Sequence, residues 1–284
     1  MRSTFDWPTV PAALCAALLA AASCAATATE AIKETSAQSL QQAEAARQAE
    51  ARAILMDMAD YLAGIPSFSV DIQSGYDVLQ ASGQTVEFGE KRKVMMRRPD
   101  RLRIDIERSD GEQGYVLYDG QQITALIATQ NRYAQASVPG GIDKAITYAV
   151  KDLKVRVPLA LLLVSTMPAE LERRVQSVDY VEMSRLFDVP CHHLVVRTDS
   201  VDFQIWISDD EQPLPRRVVL TYKNAEGQPQ FWAQLSDWDL EPEITDATFA
   251  FTPPKDAESI PFLTQYRRIG STPMTTTNPT GAQP

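Results

Sequence analysis

From Phe68 onward, hydrophobic and polar residues alternate with a period of two along most of the chain. Phe68, Val70 and Ile72, for example, alternate with Ser69 and Asp71. This alternation gives a strand one apolar and one solvated face, which is typical of antiparallel sheets. Turn dipeptides such as Asp-Gly and Ser-Gly separate the segments. The pattern predicts eleven strands, at about residues 68–80, 83–97, 101–109, 112–119, 121–128, 131–136, 174–186, 191–199, 202–208, 214–224 and 228–240.

Helical patterns lie before the strands and between the sixth and seventh of them. Residues 39–62 are rich in Ala, Gln, Glu and Arg, and their last apolar residues recur every three to four positions. This predicts a helix with one buried stripe that ends at Gly64. Residues 142–151 and the apolar segment, residues 155–164, are the helical candidates between the strands. The apolar segment is too short to span a bilayer, so we interpret it as a buried helix that serves either as core or as a movable lid.

The N-terminus has the three-part pattern of a secretory signal peptide. Arg2 supplies a positive charge, residues 11–22 form an uncharged run of mostly Ala and Leu, and small residues follow. The apolar run has roughly 12 residues, whereas a spanning helix needs about 20, which favours a removable signal over a permanent anchor. An N-terminal membrane anchor is the alternative. The predicted organisation is a signal peptide at 1–24, a tether at 25–38, a domain at 39–265 and a disordered tail at 266–284.

Two cleavage sites are compatible with this signal. Small residues precede Cys24, as in bacterial lipoproteins, whose cysteine is acylated and becomes the new N-terminus. Ala26-Thr27-Ala28 equally fits the small-x-small pattern of ordinary signal peptidase, and cleavage there would discard Cys24. We take lipidation of Cys24 as the prediction. Ala25 follows in place of the Asp that retains lipoproteins at the inner membrane, which implies a periplasmic protein tethered to the outer membrane.

Composition limits the classes of protein and partner. The chain is 44% hydrophobic, enough for a true core, and its net charge is −10. This charge makes nucleic acid and anionic lipid headgroups poor partners. Of the three cysteines, Cys191 alone is expected to remain as a free thiol after processing, so no intramolecular disulfide is predicted.

Catalytic patterns are sparse. The sequence has no GxSxG, no HExxH and no phosphate-binding Gly-rich loop, and it contains two histidines. Cys191-His192-His193 is the one place with metal-ligand or nucleophile chemistry. Cys191 and His193 would share a strand face, but two ligands make an incomplete site, so ordinary strand residues are the preferred interpretation. We therefore predict a protein that is not an enzyme and has no catalytic residues, no metal and no cofactor.

Four short motifs link the chain to a known fold. They are Arg97-Arg98-Pro99-Asp100-Arg101-Leu102-Arg103-Ile104, Tyr118-Asp119-Gly120-Gln121, Leu214-Pro215-Arg216-Arg217 and Phe249-Ala250-Phe251-Thr252-Pro253-Pro254. In order and spacing they resemble the periplasmic lipoprotein carriers of the Lol pathway, and most closely an uncharacterised family of predicted periplasmic proteins with that fold. The resemblance covers about residues 43–260. It implies an α+β incomplete barrel, in which a curved antiparallel sheet of about 11 strands surrounds an apolar cavity and is closed by helices.

The resemblance also implies a role for Arg98. In the carriers, the arginine before the proline at the start of the third strand is thought to latch a closed lid through backbone carbonyl groups, and Arg98 is the matching residue. The alternative is that Arg97, Arg98, Arg101 and Arg103 form the solvated face of a strand.

Strand parity predicts which residues line the cavity. The residues expected to face it share the inward phase of their strands or lie in the apolar segment, and they are Val70, Ile72, Val94, Met96, Leu102, Ile104, Leu117, Ile123, Leu159 and Leu162. A carrier needs room for one hydrocarbon chain, at least roughly 300 Å³. The predicted function is binding of a lipid or lipidated polypeptide by a monomer. The alternative is an envelope-stress sensor or scaffold that binds a membrane-protein partner.

Overall fold

The computed structural model describes residues 13–155 and 157–262, with side chains from Gln38 onward. The start of the predicted signal peptide, the side chain of Cys24 and the predicted tail at 266–284 lie outside the described residues. The chain divides into two units, residues 1–49 and 50–284. In the first unit, residues 13–49 are helical, and the described side chains from Gln38 are exposed. No helix of the described residues is both long and apolar enough to cross a membrane.

The second unit is built on one open sheet whose strands follow the predicted alternation. The strands are β1 (Ser67–Leu79), β2 (Thr85–Arg97), β3 (Arg101–Arg108), β4 (Gln113–Tyr118), β5 (Gln122–Ile127), β6 (Arg132–Ser137), β7 (Ser177–Ser184), β8 (Cys191–Arg197), β9 (Val201–Ser208), β10 (Pro215–Tyr222), β11 (Gln230–Asp239) and β12 (Glu258–Ser259). Their order is β12-β6-β5-β4-β3-β2-β1-β11-β10-β9-β8-β7. All neighbours are antiparallel except β12 and β6. The predicted α+β fold with a curved, unclosed antiparallel sheet is confirmed, and β12 is the strand that the pattern missed.

The strand register defines an inner and an outer face of the sheet. On the inner face the β1–β2 pairs are Phe68 with Met96, Val70 with Val94, Ile72 with Arg92 and Ser74 with Glu90. The β2–β3 pairs continue the same rows, with Leu102, Ile104, Ile106 and Arg108 in turn. Each row is two residues from the next along the strand, because side chains of one face repeat with that period. The first two rows are apolar, whereas Arg92 and Glu90 make the third and fourth rows polar.

Three α-helices accompany the sheet: α1 (Ala13–Gly64), α2 (Ile142–Lys151) and α3 (Met167–Arg174). The predicted stripe near the end of α1 is confirmed, because Leu55, Met58 and Leu62 are almost fully buried in the core shared with the inner face. α1 begins before the residues predicted as tether, and it includes them together with part of the predicted signal. An ion pair of 2.9 Å joins Arg52 of α1 to Glu172 of α3.

The apolar segment is not the helix that its composition predicts. Its described residues include a turn at Pro158 and Leu159 and a short 3₁₀ helix at Ala160–Leu163. Pro158 explains the difference, since proline lacks an N–H donor and disfavours helical geometry at the residue before it, here Val157. Leu159 then takes the left-handed conformation at φ 62°. Leu162 and Leu163 are nonetheless buried in the core.

A C-terminal strap, residues 240–260, runs along the outer face of β3 to β6. Arg97 forms an ion pair with Asp246 and lies over the ring of Phe249, 5.5 Å from its centroid. Farther along, Phe251 packs on Tyr133 with centroids 5.1 Å apart, and β12 pairs with β6. Phe249 is almost fully buried. The strap therefore provides an apolar layer on the face that an open sheet would otherwise expose to water.

Candidate ligand-binding cavity

An apolar cavity lies between the inner face of the sheet and the apolar segment. Its lining comes from β1, β2, β3, β11 and the apolar segment, and comprises Phe68, Val70, Ile72, Ser74, Arg92, Val94, Ile104, Val157, Pro158, Leu159, Leu162, Leu163, Phe231, Leu235 and Trp238. The rings of Phe68 and Trp238 lie 5.2 Å apart, and the Trp238 indole N–H donates to the carbonyl of Pro215. The sheet and the segment thus form opposite walls of one apolar space.

Six of the ten residues predicted from parity line this cavity: Val70, Ile72, Val94, Ile104, Leu159 and Leu162. Met96, Leu102 and Ile123 are buried in the same core but do not border the cavity. Leu117 is on the outer face, because it pairs with Arg103, whereas its neighbour Tyr118 pairs with the inward Leu102. The prediction that Leu117 faces the cavity was therefore wrong, because the inward-facing residue of this pair is Tyr118.

The cavity is much smaller than the predicted space for a hydrocarbon chain. Its volume is about 30 Å³, which corresponds to about one water molecule. Side chains of the apolar segment fill the rest of the interior, with Leu162 and Leu163 buried against the sheet. This cavity therefore lacks the volume predicted for a hydrocarbon chain.

Arg98 joins three backbone carbonyl groups around the closed interior. Its Nε donates to the carbonyl oxygen of Ile65 over 3.2 Å, Nη1 to that of Leu163 over 3.1 Å, and Nη2 to that of Leu62 over 3.4 Å. The guanidinium thereby links the end of α1 to the end of the 3₁₀ helix in the apolar segment. Burial lowers the pKa of Arg98, and the nearby Asp143 carboxylate partly offsets this effect. A guanidinium remains charged at any physiological pH.

A second contact fixes the far end of the apolar segment. The Asp143 carboxylate on α2 accepts hydrogen bonds from the backbone N–H of Ser165 over 3.0 Å and from its hydroxyl over 2.6 Å. The first turn of α2 is itself tied to the sheet, because the backbone N–H of Ile142 donates to the carbonyl of Pro99 over 2.8 Å. Pro99 directly follows Arg98. Arg98, α2 and the apolar segment are therefore connected by hydrogen bonds.

The Tyr118-Asp119-Gly120-Gln121 motif has a structural role beside this unit. The Tyr118 hydroxyl lies 2.8 Å and 2.6 Å from the carbonyl oxygens of Val138 and Gly140, in the loop that leads into α2. Asp119 caps the turn by accepting from the backbone N–H groups of Gln121 and Gln122. Gly120 has φ +88°, a conformation that side chains disfavour. The motif thus positions the start of α2.

Sequence reasoning missed the polar end of the cavity. Arg92 and Ser74 border the space, and Arg92 forms an ion pair of 2.5 Å with Glu90. The Ser74 hydroxyl lies 3.4 Å from the same carboxylate. The side chains of Arg92 and Glu90 are only 15% and 4% exposed. The alternation along β2 could have predicted this, because Glu90 and Arg92 lie on the same face of the strand as the inward-facing Val94.

The Cys191-His192-His193 sequence forms no metal site in the structure. The described residues contain no group of three or more potential metal-ligating side chains. Cys191 is fully buried, and burial raises the pKa of its thiol to about 11. His192 contacts the Asp209 carboxylate at 3.1 Å, whereas His193 stacks on Trp206 with centroids 4.0 Å apart. The two imidazoles therefore have separate surroundings on neighbouring residues of β8.

The chain is similar to several solved structures. An uncharacterised conserved protein from Thermus thermophilus is 12% identical, with coverage of 75% of this chain and 99% of that chain and a TM-score of 0.45. A LolA superfamily protein from Nitrosomonas europaea is 12% identical, with coverage of 71% and 97% and a TM-score of 0.37. The Mycobacterium tuberculosis lipoprotein LppX is 14% identical, with coverage of 67% and 96% and a TM-score of 0.39.

Sequence comparison identifies a family. No curated protein gives a significant match to the chain. The profile of a family described as predicted periplasmic protein (DUF2092) matches residues 51–263, which include the whole sheet, α2 and α3. The resemblance to a family of predicted periplasmic proteins is thereby confirmed. This chain belongs to the DUF2092 family of predicted periplasmic proteins.

Proposed function

We propose that the protein binds the acyl chain of a lipid or of a lipidated polypeptide between its inner sheet face and the apolar segment. In this proposal the apolar segment is a lid, Arg98 is its latch, and the structure is the closed state. The protein acts as a carrier or acceptor in the periplasm, tethered to the outer membrane by acylated Cys24. The observation that carries the proposal is the set of three Arg98 hydrogen bonds, which join the end of α1 to the lid above an apolar cavity.

The energetics favour an apolar interior for this task. Exposing a 16-carbon chain to water costs about 12 kcal/mol, at roughly 0.8 kcal/mol for each methylene group. A protein that carries such a chain through an aqueous compartment must therefore offer an equivalent apolar surface. The inner rows at Val70, Val94 and Ile104 supply one wall. Leu159, Leu162 and Leu163 cover that wall in the closed state, and their withdrawal would free it for a ligand.

The latch suits a lid that opens reversibly. Leu159 is a non-glycine residue at φ 62°, a conformation that costs about 1–3 kcal/mol. Hydrogen bonds from a charged group are worth roughly 1.5–3 kcal/mol each. The closed lid is thus held by the burial of Leu162 and Leu163 together with these polar contacts, against local backbone strain. A ligand favours the open state when its apolar chain replaces the buried leucine side chains and its differential affinity exceeds the remaining polar contacts.

A fluorescent fatty-acid probe tests the proposal. We expect the wild-type mature protein to bind the probe saturably, and Ile104→Asp to abolish binding because it places a charge in the apolar wall. Leu186→Asp is the control, since Leu186 is 88% exposed and outside the cavity. Circular dichroism establishes that each variant is folded. Absence of probe binding by the wild type would reject the proposal.

The filled interior favours a second candidate function. A cavity of about 30 Å³ suits a protein that uses its surface, as an envelope-stress sensor or scaffold with a membrane-protein partner. The two candidates differ in what copurifies with the mature protein. Bound fatty acyl species support the carrier or acceptor, whereas their absence together with a captured membrane protein supports the sensor or scaffold.

A further inference from the structure

The inner face ends in a polar cluster that an acyl-binding protein does not need for its apolar wall. The cluster consists of Arg92, which shares the third inner row with Ile72 and Ile106, and of Ser74, Glu90 and Arg108, which form the fourth row. Burying an ion pair such as Arg92–Glu90 costs several kcal/mol per charge in desolvation, which the pair regains only with good geometry and further hydrogen bonds. A buried ion pair at the border of a ligand cavity therefore suggests a binding role.

Arg92 retains an unused donor at this border. Its Nη2 faces Glu90, but its Nε is buried without a hydrogen-bond partner. An unsatisfied buried donor is unfavourable, and the guanidinium offers donors in a fixed, planar fork. Nε is enclosed, so an oxygen atom in the cavity would satisfy it once the Arg92 side chain turns towards the ligand, and a carboxylate would form the strongest such contact because its hydrogen bond is charge-assisted.

Glu90 has an alternative partner when Arg92 turns to a ligand. Arg108 is directly opposite Glu90 in the β2–β3 register, where side-chain Cβ atoms are about 5 Å apart. Arg108 also lies within 3.8 Å of Asp110 and 3.7 Å of Glu112, at the more solvated edge of the cluster. Arg108 is thus placed to accept Glu90 as a partner after Glu90 releases Arg92.

We propose that Arg92 is the head-group anchor of the cavity and that the ligand is a long-chain fatty acid with a free carboxylate. The inference rests on the proposed acyl-binding function and names its ligand class. The chain lies along the apolar rows at Val70, Val94 and Ile104, and the carboxylate accepts from Arg92. Glu90 competes for the same guanidinium and shifts to Arg108 when the ligand binds.

Competition between laurate and its methyl ester tests this anchor in the mature full-length protein. A fluorescent acyl probe with an uncharged head reports occupancy, and each competitor displaces it. We expect laurate to compete about ten times better than methyl laurate, the advantage of one charge-assisted hydrogen bond. Glu90→Gln should increase the affinity for laurate, because it removes the competing carboxylate.

A double variant removes the anchor without leaving an unpaired buried charge. Glu90→Gln/Arg92→Gln replaces both members of the ion pair, so folding does not depend on a lone buried carboxylate. We expect laurate and methyl laurate to compete equally in this variant. Equal competition in the wild type, or a laurate preference that survives in the double variant, would reject the Arg92 anchor and leave the acyl-binding function standing. No probe binding by the wild type would overturn both.

Discussion

Arg98 donates a hydrogen bond from Nη1 to the carbonyl oxygen of Leu163 over 3.1 Å. Two more hydrogen bonds from the same guanidinium reach the carbonyls of Leu62 and Ile65. These residues belong to the two elements that cover the inner face, the end of α1 and the apolar segment. One side chain therefore fixes the relative position of both, which gives Arg98 a different surrounding from its neighbour Arg97 on the outer face.

Replacement of Arg98 should open the apolar segment. Arg98→Leu leaves three carbonyl groups without their donor, so we expect faster amide hydrogen exchange at residues 159–164. Arg97→Leu is the matched control, because it removes an adjacent arginine that contacts the strap instead. Exchange followed by mass spectrometry measures the effect. Equal protection of these amides in wild type and Arg98→Leu would show that Arg98 does not hold the apolar segment in place.

The strap should contribute to stability through Phe249. Phe249 is buried on the outer face, and truncation of a buried phenylalanine typically costs about 3–5 kcal/mol. We expect Phe249→Ala to lower the free energy of unfolding by that amount in urea titrations. Leu186→Ala, at an exposed position, should change it by less than about 0.5 kcal/mol. A negligible loss in Phe249→Ala would mean that the strap does not hold the outer face of the sheet.

The Cys191 thiol should make stability depend on alkaline pH. Burial raises its pKa from 9.0 to about 11, so folding favours the neutral thiol. This contribution is complete below pH 9 and is lost as pH rises towards 11. We expect wild type to lose more stability than Cys191→Ala across that window, and the difference between the two proteins to be constant below it. Parallel pH profiles would contradict the assigned burial effect. Ligand binding at neutral pH should be the same in both proteins.

Acylation at Cys24 remains a prediction from the sequence. We expect the intact mass of the mature protein to show an acylated N-terminal Cys24, and Cys24→Ser to release the protein into the soluble periplasmic fraction. Membrane and soluble fractions from the same cells provide the measurement. An unmodified N-terminus at Thr29 would show that ordinary signal peptidase removes this cysteine.

The sequence predicted the strands well because most of them are solvated on one face. The alternation in β1 and β3 predicted both that these segments are strands and which of their residues face the core. In β4 the residues Tyr115, Val116, Leu117 and Tyr118 are all apolar, so alternation provides no phase. Pairing with β3 sets it instead, and Leu117 faces outward. The strap explains why an outward position is apolar, since it covers that face of the sheet.

The cavity was only partly predictable for related reasons. Parity identified Val70, Val94 and Ile104 because their strands alternate clearly. The same parity placed Glu90 and Arg92 inward, but charged residues are normally solvated and were not considered for the interior. The conformation of the apolar segment depended on Pro158, which excludes the predicted helix. Its conformation also depends on the hydrogen bond from Arg98 to Leu163, two residues that are distant in sequence.

Native mass spectrometry of the mature protein tests the central claim most directly. The account predicts that wild type, besides its covalent acyl anchor, carries a noncovalent mass in the range of one fatty acid. Leu162→Asp, which places a charge at the lid side of the cavity, should carry none, whereas the exposed Leu186→Asp should keep it. A wild-type protein that is always found at its bare mass, or that carries the same adduct in Leu162→Asp, would contradict acyl binding in this cavity.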